Sequence, residues 1–339
     1  MILEPDCLFF TKRRDNLFLT NLITYLISKN MCEKCDAKLE AVKTSWDGGL
    51  PRGIVIVTGG KIKEAQQFFK AGIPATLIDY KGKPHKMNAA AGVATVLNKN
   101  YLVYMTGYNL DELHAIGDTM MPKPHFAREV NLLDKEAVKK LVTEVKKAKE
   151  VLGLPVHLAH YGGASDTKTK LPNDSVFSHT WDIPSESIPE LVANNCTTLL
   201  NVVQEMHRQD IFADQKITKI VFVSAITALR TKLWHGNDAA QKGAGHSLIR
   251  SMALDLTPEK IYVTEVMPGM TDTGFYDNPF TLEVLFKSAA AMGYVYTKET
   301  VPMFTAEVVG EAVEYVLKAR GNVRELSVMP FGQYPQLGA

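Results

Sequence analysis

Short runs of apolar, mostly β-branched residues recur along this chain, and they constrain its fold more than any other feature of the sequence. The runs lie at residues 54–57, 75–78, 156–159, 220–223 and 261–266, each beside a helical pattern or a glycine turn. Apolar strands that alternate with helices form a parallel sheet that is covered by helices on both faces. The sequence therefore predicts an α/β fold with a doubly wound parallel sheet of about seven strands.

The helical pattern is clearest after Asp134, a residue type that often forms helix N-caps. Beyond it, one side of the pattern is rich in lysine, and the other is an apolar stripe of Val138, Leu141, Val142 and Val145. This spacing predicts an amphipathic helix that packs on the sheet.

The chain has 339 residues, which is enough for one large α/β domain with additions. We expect residues 1–50 to form a helical extension and residues 51–339 to form a single domain, because residues 46–53 have the glycines and proline of a linker. More chain than one helix and one strand need follows residue 79. We therefore expect an insertion at residues 81–128, after the second strand.

The charge balance excludes several classes of partner. With 38 basic and 37 acidic side chains, the chain lacks the basic excess of proteins that bind nucleic acids. The apolar run at residues 16–28 is interrupted by polar residues and is shorter than the ~20 residues of a membrane-spanning helix. We therefore expect small-molecule partners, with no nucleic acid and no membrane.

The cysteines indicate a reducing, cytoplasmic setting, because four of them, unevenly spaced, are too few for a disulfide framework. Cys32 and Cys35 have the spacing of half a zinc site, but no second half follows them. We interpret them as two thiols in a polar turn and expect no metal.

Two motifs near the end of the chain occur in a specific order. The first begins at Lys242 and runs to residue 256, and the second contains Pro268, Gly269 and Thr273. Together they resemble the helix after the catalytic lysine and the Pro-Gly-x-x-x-Thr loop of the short-chain dehydrogenase/reductase family. The resemblance extends from residue 54 to residue 276 and implies a Rossmann-like dinucleotide-binding domain, a lid at residues 276–303, and a homodimer or homotetramer.

The resemblance also implies a cofactor site. Thr58, Gly59 and Gly60 lie at the turn after the first strand, where backbone N–H groups approach a pyrophosphate, although the family's full glycine pattern is not completed. Asp79 ends the expected second strand, where a carboxylate would hold the ribose and favour NAD; NADP is the alternative, because lysines follow at once. Further implied cofactor positions are Asn131, His160, Gly162, Lys242, Pro268, Gly269 and Thr273. An ordinary turn residue at Asp79 and a core-filling histidine at His160 are the other interpretations.

The catalytic register of the family is incomplete in this chain. In the family, a tyrosine four residues before the lysine transfers the proton, and a serine bonds the substrate oxygen. Counting back four residues from Lys242 reaches Asp238 instead of a tyrosine. The usual serine position is Ala225, with Ser224 immediately before it.

A histidine could take the place of the tyrosine. The enoyl-thioester reductases of the family have their tyrosine seven residues before the lysine, which here is His235. We expect His235 to serve as the acid, Lys242 to bind ribose, Ser224 to steady an oxyanion, and Asn195 to hold a relay water. Asp238 is interpreted as a base or as the N-cap of the following helix. A surface turn is the alternative interpretation of His235.

Two functions remain open from the sequence. The first is an atypical NAD(P)-dependent oxidoreductase that transfers hydride to or from a carbonyl, alcohol or conjugated enoyl group. Its substrate would be small or carrier-linked and apolar, because the expected lid is rich in Phe, Leu, Met and Ala. The second is a binding or regulatory protein on the same fold whose chemistry has lapsed.

Overall fold

The structure is a computed structural model that describes residues 39, 42, 45–46, 49–66, 76–78, 84–120, 122–162 and 168–333. Most of the expected extension at residues 1–50, the Cys32 and Cys35 pair, and Asp79 lie outside these residues. Within the described part, no helix is both long and apolar enough to cross a membrane.

Seven strands form one parallel sheet and three form a small antiparallel one. The ten strands in the described part of the chain are β1 (Ile54–Thr58), β2 (Ile62–Glu64), β3 (Thr76–Ile78), β4 (Pro84–Met87), β5 (Leu102–Gly107), β6 (His125–Glu129), β7 (Val156–Tyr161), β8 (Thr218–Val223), β9 (Ile261–Pro268) and β10 (Glu325–Val328). The large sheet has the order β10-β9-β8-β7-β1-β5-β6, and all its pairings are parallel. The predicted parallel sheet is confirmed. Its strand order reverses beside β1, and such a reversal opens a crevice at the carboxyl ends of the strands.

Helices cover both faces of the large sheet. Among the described residues, eight α-helices have defined bounds: α1 (Ala89–Leu97), α2 (Leu110–Met120), α3 (Lys135–Leu152), α4 (Ser187–Val192), α5 (Thr198–Arg208), α6 (Gly236–Leu256), α7 (Pro279–Ala291) and α8 (Ala306–Lys318). Helices α3, α5 and α6 pack on one face together with Ile54 and Ile56 of β1. Helices α1, α2 and α8 pack on the other face together with Val55 and Val57. Alternate residues of one strand thus supply the two halves of the core, as the period of two in a strand requires.

Helix α3 shows how closely local signals match the structure. The Asp134 carboxylate accepts hydrogen bonds from the N–H groups of Glu136 and Ala137, and Gly153 ends the helix in the left-handed conformation. The predicted apolar stripe is buried, so this helix is confirmed with its N-cap.

The position predicted for the insertion is wrong. The chain leaves the large sheet between β1 and α1, where β2, β4 and β3 form the antiparallel sheet. Residues 102–107, which the sequence placed inside an insertion at residues 81–128, are instead the true second strand of the parallel sheet. The run at residues 75–78 was misassigned because a short apolar run does not indicate whether its partner will be parallel or antiparallel.

Candidate functional site

Two adjoining cavities of about 320 Å³ each lie along the carboxyl ends of the parallel strands. The first is lined by residues from β8, β9 and α6, and the second by residues that follow β1, β5 and β6. Lys61, Asn88 and Tyr161 line both cavities. The two spaces therefore form one crevice with a shared waist, large enough to take an elongated ligand.

The waist is built where the insertion leaves and rejoins the fold. The Asn88 side chain donates to the Gly59 carbonyl over 2.7 Å and accepts from the Lys61 N–H over 3.2 Å and the Ala91 N–H over 2.9 Å. One side chain thus caps α1 and ties both ends of the insertion together. Gly59 and Gly60, two of the predicted cofactor positions, line the second cavity, beside a helix N-terminus of the kind that binds anions.

Thr58 and His160 lie beneath the crevice and are fully buried. His160 Nδ1 lies 2.9 Å from the Thr58 hydroxyl, and Nε2 lies 3.2 Å from the Thr198 hydroxyl. Because the Thr198 hydroxyl donates to the Asn194 carbonyl, Nε2 must carry the proton and Nδ1 accepts from Thr58. Burial lowers the pKa of His160 to about 3, with a smaller contribution from Lys242. This histidine is a neutral link between β1 and α5 and lines neither cavity.

Asp79 was expected to follow the second strand of the parallel sheet, but that strand is β5, and other residues follow it. Tyr108, Asn109 and Glu112 line the second cavity there. Asn109 accepts the N–H groups at the start of α2, and Glu112 accepts the Ile62 N–H over 3.2 Å. Glu112 is the one carboxylate among the described residues that line this cavity.

The predicted adenine contact at Asn131 lies at the edge of the second cavity. The neighbours Val130 and Leu132 line the cavity. The Asn131 side chain instead accepts the Leu133 N–H over 3.0 Å, so it stabilises the turn that shapes this wall.

Lys242 lies at the floor of the first cavity and is only 4% exposed. Its ammonium donates to the Gly162 carbonyl over 2.6 Å and to Asn195 Oδ1 over 3.5 Å, and lies 5.5 Å from the centre of the Tyr161 ring. Burial lowers the pKa of Lys242, while the Asp238 and Glu265 carboxylates oppose that shift. Gly162 is required here because a Cβ would lie 2.9 Å from Asn195 Oδ1.

Asn195 is presented by a single π-helical turn at Ala193–Thr197, a feature that is frequent at functional sites. Its amide donates to the Gln241 side chain over 2.6 Å and to the Leu191 carbonyl over 3.3 Å. The structure therefore brings together three of the site residues proposed from the sequence, Lys242, Asn195 and Gly162.

Asp238 lies where the missing tyrosine would be, on the first turns of α6, and lines the first cavity. Its carboxylate accepts a hydrogen bond of 2.6 Å from the Thr227 hydroxyl. Lys232 also lines this cavity, and burial, opposed by Asp238, lowers its pKa to about 8. Sequence reasoning missed Lys232 because nothing in its surroundings in the chain distinguishes it from a surface lysine.

His235 is buried at the cavity wall, 3% exposed, and not in a surface turn. Its Nδ1 lies 2.6 Å from the Leu233 carbonyl, so this nitrogen carries the proton. Burial lowers the pKa of His235 to about 4, although Asp238 raises it. The ring is therefore neutral at pH 7, a state that does not suit the role of acid expected from the sequence.

Ser224 lies at the end of β8 and lines the first cavity beside Ala225. Its hydroxyl donates to Glu265 Oε1 over 2.5 Å, and the other carboxylate oxygen lies 2.5 Å from His246 Nδ1. Glu265 is fully buried in β9. Sequence reasoning missed Glu265, although an acidic residue within an apolar strand indicates a buried carboxylate.

The loop after β9 closes the first cavity and is fastened to the insertion. Pro268, Gly269 and Thr273, which were predicted to bind the cofactor, line this cavity. In and after the same loop, Asp272 and Asp277 bind the fully buried Lys86 of β4 over 2.6 and 2.9 Å. Burial raises the pKa of Asp272, and Lys86 acts in the opposite direction. We call this group of Lys86, Asp272 and Asp277 the clasp.

The apolar side of the first cavity combines three parts of the chain. Its described lining includes Val176, Phe177, Met270, Phe275 and Tyr276. The expected lid at residues 276–303 contains α7, whose buried side chains pack with Met270 and Met303.

Three solved structures illustrate the similarity of the fold. A Mycobacterium ulcerans short-chain type dehydrogenase/reductase has a TM-score of 0.61 and 17% sequence identity, and the match covers 84% of this chain and 90% of that chain. A NADPH-bound short chain oxidoreductase from Pseudomonas aeruginosa PAO1 containing an atypical catalytic center has a TM-score of 0.59 and 15% identity, with coverage of 83% of this chain and 96% of that chain. A Thermococcus sibiricus alcohol dehydrogenase complexed with 5-hydroxy-NADP has a TM-score of 0.58 and 16% identity, with coverage of 84% of this chain and 98% of that chain. At these identities the likeness concerns the fold.

A comparison with curated protein sequences found no match. The model of the short chain dehydrogenase family, in contrast, matches residues 89–281, more than half of the chain. The matched region begins at the first residue of α1, where the insertion has just ended. It includes Lys242 with its two supporting groups and the loop that closes the cavity, and on this basis the chain belongs to the short chain dehydrogenase family.

Proposed function

We propose that this protein is an atypical NAD(P)-dependent oxidoreductase. The observation that carries the proposal is the ammonium of Lys242, which is buried at the floor of the crevice and held by Gly162 and Asn195. Burial of an ammonium is costly, and the cavity beside it gives that cost a functional explanation. The Thermococcus and Pseudomonas structures, which contain 5-hydroxy-NADP and NADPH, support a nicotinamide cofactor.

The residues present fit a dinucleotide. Lys242 would hold the ribose next to the nicotinamide, and the N-terminus of α1 with Lys61 would face the phosphates at the waist. Glu112 would face the adenosine half, where its negative charge favours NAD over NADP. The bound cofactor would supply or accept a hydride.

The cavity also restricts the substrate. Because aromatic and aliphatic side chains, among them Phe177, Met270 and Phe275, form one side of the cavity, we propose a small or carrier-linked apolar substrate. Its reacting group would be a carbonyl, an alcohol or a conjugated alkene. A homodimer or homotetramer and a cytoplasmic location remain part of the proposal.

Two observations favour a second function, a binding or regulatory protein without catalysis. Asp238 replaces the proton-transferring tyrosine, and the insertion divides the glycine turn. Such a protein would keep the crevice, with or without a nucleotide, and would turn over no substrate.

Titration with NADH and with NADPH, followed by nicotinamide fluorescence, tests the proposed function. We expect saturable binding of NADH that is tighter than binding of NADPH. The Lys242→Met variant should bind NADH at least tenfold more weakly, whereas Lys139→Met, which changes an exposed lysine on α3, should bind as the wild type does. Absence of any response up to millimolar cofactor would contradict the oxidoreductase and favour the second function.

A further inference from the structure

A chain of three hydrogen-bonded side chains leads away from the first cavity. Ser224 lines the cavity, and its hydroxyl donates to Glu265 Oε1 over 2.5 Å. Glu265 Oε2 accepts from His246 Nδ1, also over 2.5 Å. The three residues belong to the end of β8, to β9 and to α6, so three separate elements converge on one carboxylate.

The position of Glu265 needs an explanation. Its side chain is completely inaccessible to solvent and lies in a strand whose other residues are almost all buried. A buried carboxylate costs free energy even when it is hydrogen-bonded, and an apolar residue of similar volume would often be as stable or more stable. Both of its oxygens are used, one toward the cavity and one toward a histidine whose side chain is 10% exposed. Carboxyl groups serve as general acids and bases when they lie within hydrogen-bond reach of the group that exchanges the proton, and Glu265 has this position relative to the Ser224 hydroxyl.

Two other titratable groups of the cavity fit proton transfer less well. The His235 ring donates its one proton to the Leu233 carbonyl and is neutral at pH 7. The Asp238 carboxylate is engaged by the Thr227 hydroxyl, which donates a hydrogen bond of 2.6 Å to it. Ser224 offers a hydroxyl that already shares its proton with a carboxylate.

We propose that Ser224, Glu265 and His246 form the proton relay that replaces the absent tyrosine. The proposal rests on the proposed function. In alcohol oxidation, the hydride leaves the substrate carbon for the nicotinamide, and the substrate O–H bond breaks. Its proton goes to Ser224 Oγ, the proton of Ser224 goes to Glu265 Oε1, and the electron pair of the substrate O–H bond becomes the second bond of the carbonyl group. Carbonyl reduction follows the same steps in reverse.

The relay assigns separate roles to its members and selects a substrate class. Ser224 is the catalytic residue because it touches the reacting oxygen, Glu265 takes up the proton, and His246 is a positioning residue that holds the carboxylate toward the cavity. Because the relay ends at an oxygen atom, it assigns a carbonyl or alcohol substrate and not a conjugated alkene.

The test uses Glu265→Gln in the full chain. Glutamine has nearly the same shape, and it can accept from Ser224 and donate to a ring nitrogen of His246, but it cannot take up a proton. The probes are NADH with a panel of apolar aldehydes and ketones, and NAD with the matching secondary alcohols. We expect kcat to fall by roughly 10²–10⁴-fold, while KM and the NADH dissociation constant stay within about twofold. Glu205→Gln, a similar change at a buried carboxylate of α5 away from the crevice, serves as the control.

Two further variants keep the test decisive. Ser224→Ala should lower kcat to a similar extent, and the double variant should be little worse than either single one, because members of one relay are not additive. His246→Asn keeps a donor for Glu265 and should retain more of the kcat than His246→Leu. If Glu265→Gln does not fold, the kcat of Ser224→Ala alone tests the relay.

The outcomes separate the relay from the proposed function. If the wild type binds neither cofactor, the proposed function fails, and the relay fails with it. If the wild type binds NADH but turns over none of the panel, the carbonyl and alcohol assignment is overturned. If it turns over substrate while Ser224→Ala or folded Glu265→Gln keeps its kcat within twofold, the relay is wrong and the oxidoreductase stands.

Discussion

Three histidine side chains of this protein are buried and neutral, and each forms hydrogen bonds in the interior. His157 accepts the Lys219 N–H through Nδ1, and His160 and His235 are bound as described above. Burial lowers the pKa of His157 to about 4, of His160 to about 3 and of His235 to about 4. Each ring must therefore be neutral in the folded protein, although the same group in an unfolded chain is protonated below a pH of about 6.5.

This difference predicts that the folded state loses stability in mild acid. Below pH 6.5 the unfolded chain binds more protons at these positions than the folded protein, so the free energy of unfolding falls as the pH falls toward 4. By linkage, each such histidine costs about 2 kcal/mol at pH 5. Urea unfolding at pH 7 and pH 5 measures the loss. In His160→Gln the difference in unfolding free energy between pH 7 and pH 5 should shrink by about that amount. His207→Gln, at a side chain that is 61% exposed, should leave this difference unchanged. An equal difference in both variants would contradict the prediction.

The insertion between β1 and α1 forms part of the site. It contributes Lys61, Ile62 and Lys63 to the wall of the first cavity, and the clasp fastens it to the loop after β9. Two neighbouring contacts strengthen the attachment, from Lys63 Nζ to the Gly274 carbonyl and from the Gln66 N–H to Asp277, both over 2.9 Å. The crevice is therefore closed by the insertion and by the loop after β9, two segments that are far apart in sequence.

Lys86→Met should break the clasp. It leaves Asp272 and Asp277 buried without the ammonium that compensates them, and loss of one partner from a buried ion pair costs about 3–5 kcal/mol. Chemical denaturation should show this loss. Lys139→Met, which removes an exposed lysine 3.9 Å from Glu136, should change stability by less than about 1 kcal/mol. A Lys86→Met variant as stable as the wild type would show that the clasp does not stabilise the fold.

Helices α1 and α8 approach each other most closely at two glycines. A Cβ at Gly92 would lie 2.3 Å from the Ala306 carbonyl carbon, and one at Gly310 would lie 2.7 Å from the Gly92 carbonyl oxygen. The helix backbones are therefore in contact, and no side chain fits between them.

Gly92→Ala should destabilise the protein by at least about 1–3 kcal/mol, the usual cost of overpacking, because backbone atoms have to move apart. Gly243→Ala is the matched control, since its Cβ would meet only the Ala228 carbonyl oxygen at 3.9 Å. That change should be neutral or stabilising by up to about 1 kcal/mol, because alanine favours helix more than glycine does. Thermal unfolding of both variants measures the contrast, and equal midpoints would be inconsistent with the close packing of α1 and α8.

At the scale of the whole molecule, the crevice crosses the point where the strand order reverses. One cavity lies beyond β8 and β9, the other beyond β1, β5 and β6, and they meet at Asn88. A dinucleotide that occupies both would connect the two halves of the sheet and the insertion.

We therefore expect NADH to raise the unfolding temperature more than either of its halves. Binding at 100 times the dissociation constant adds about 2.7 kcal/mol to the free energy of unfolding, whereas AMP or nicotinamide mononucleotide occupies one cavity only. Thermal unfolding with each ligand at the same concentration measures this. A full shift with AMP alone would mean that the second cavity is sufficient for binding and would contradict a ligand that spans the waist.

The sequence alone determined features that depend on neighbouring residues. The alternation of strands and helices gave the parallel sheet, and the spacing around Asp134 gave α3 with its cap, because period and capping are local properties of the chain. The order of Lys242 and Thr273 likewise led to the correct family. Within the site, Lys242, Asn195 and Gly162 were singled out from the sequence, and the structure shows them in contact.

Only the tertiary structure decided which segments meet. The run at residues 75–78 became part of an antiparallel sheet because its partner is β4, and no local pattern specifies that pairing. Glu265 reaches Ser224 across 41 positions, and Lys86 reaches Asp277 across 191. Burial makes His235 neutral and gives Glu265 its place behind Ser224. Burial and strand pairing arise from contacts between distant parts of the chain, so no local sequence pattern specifies them.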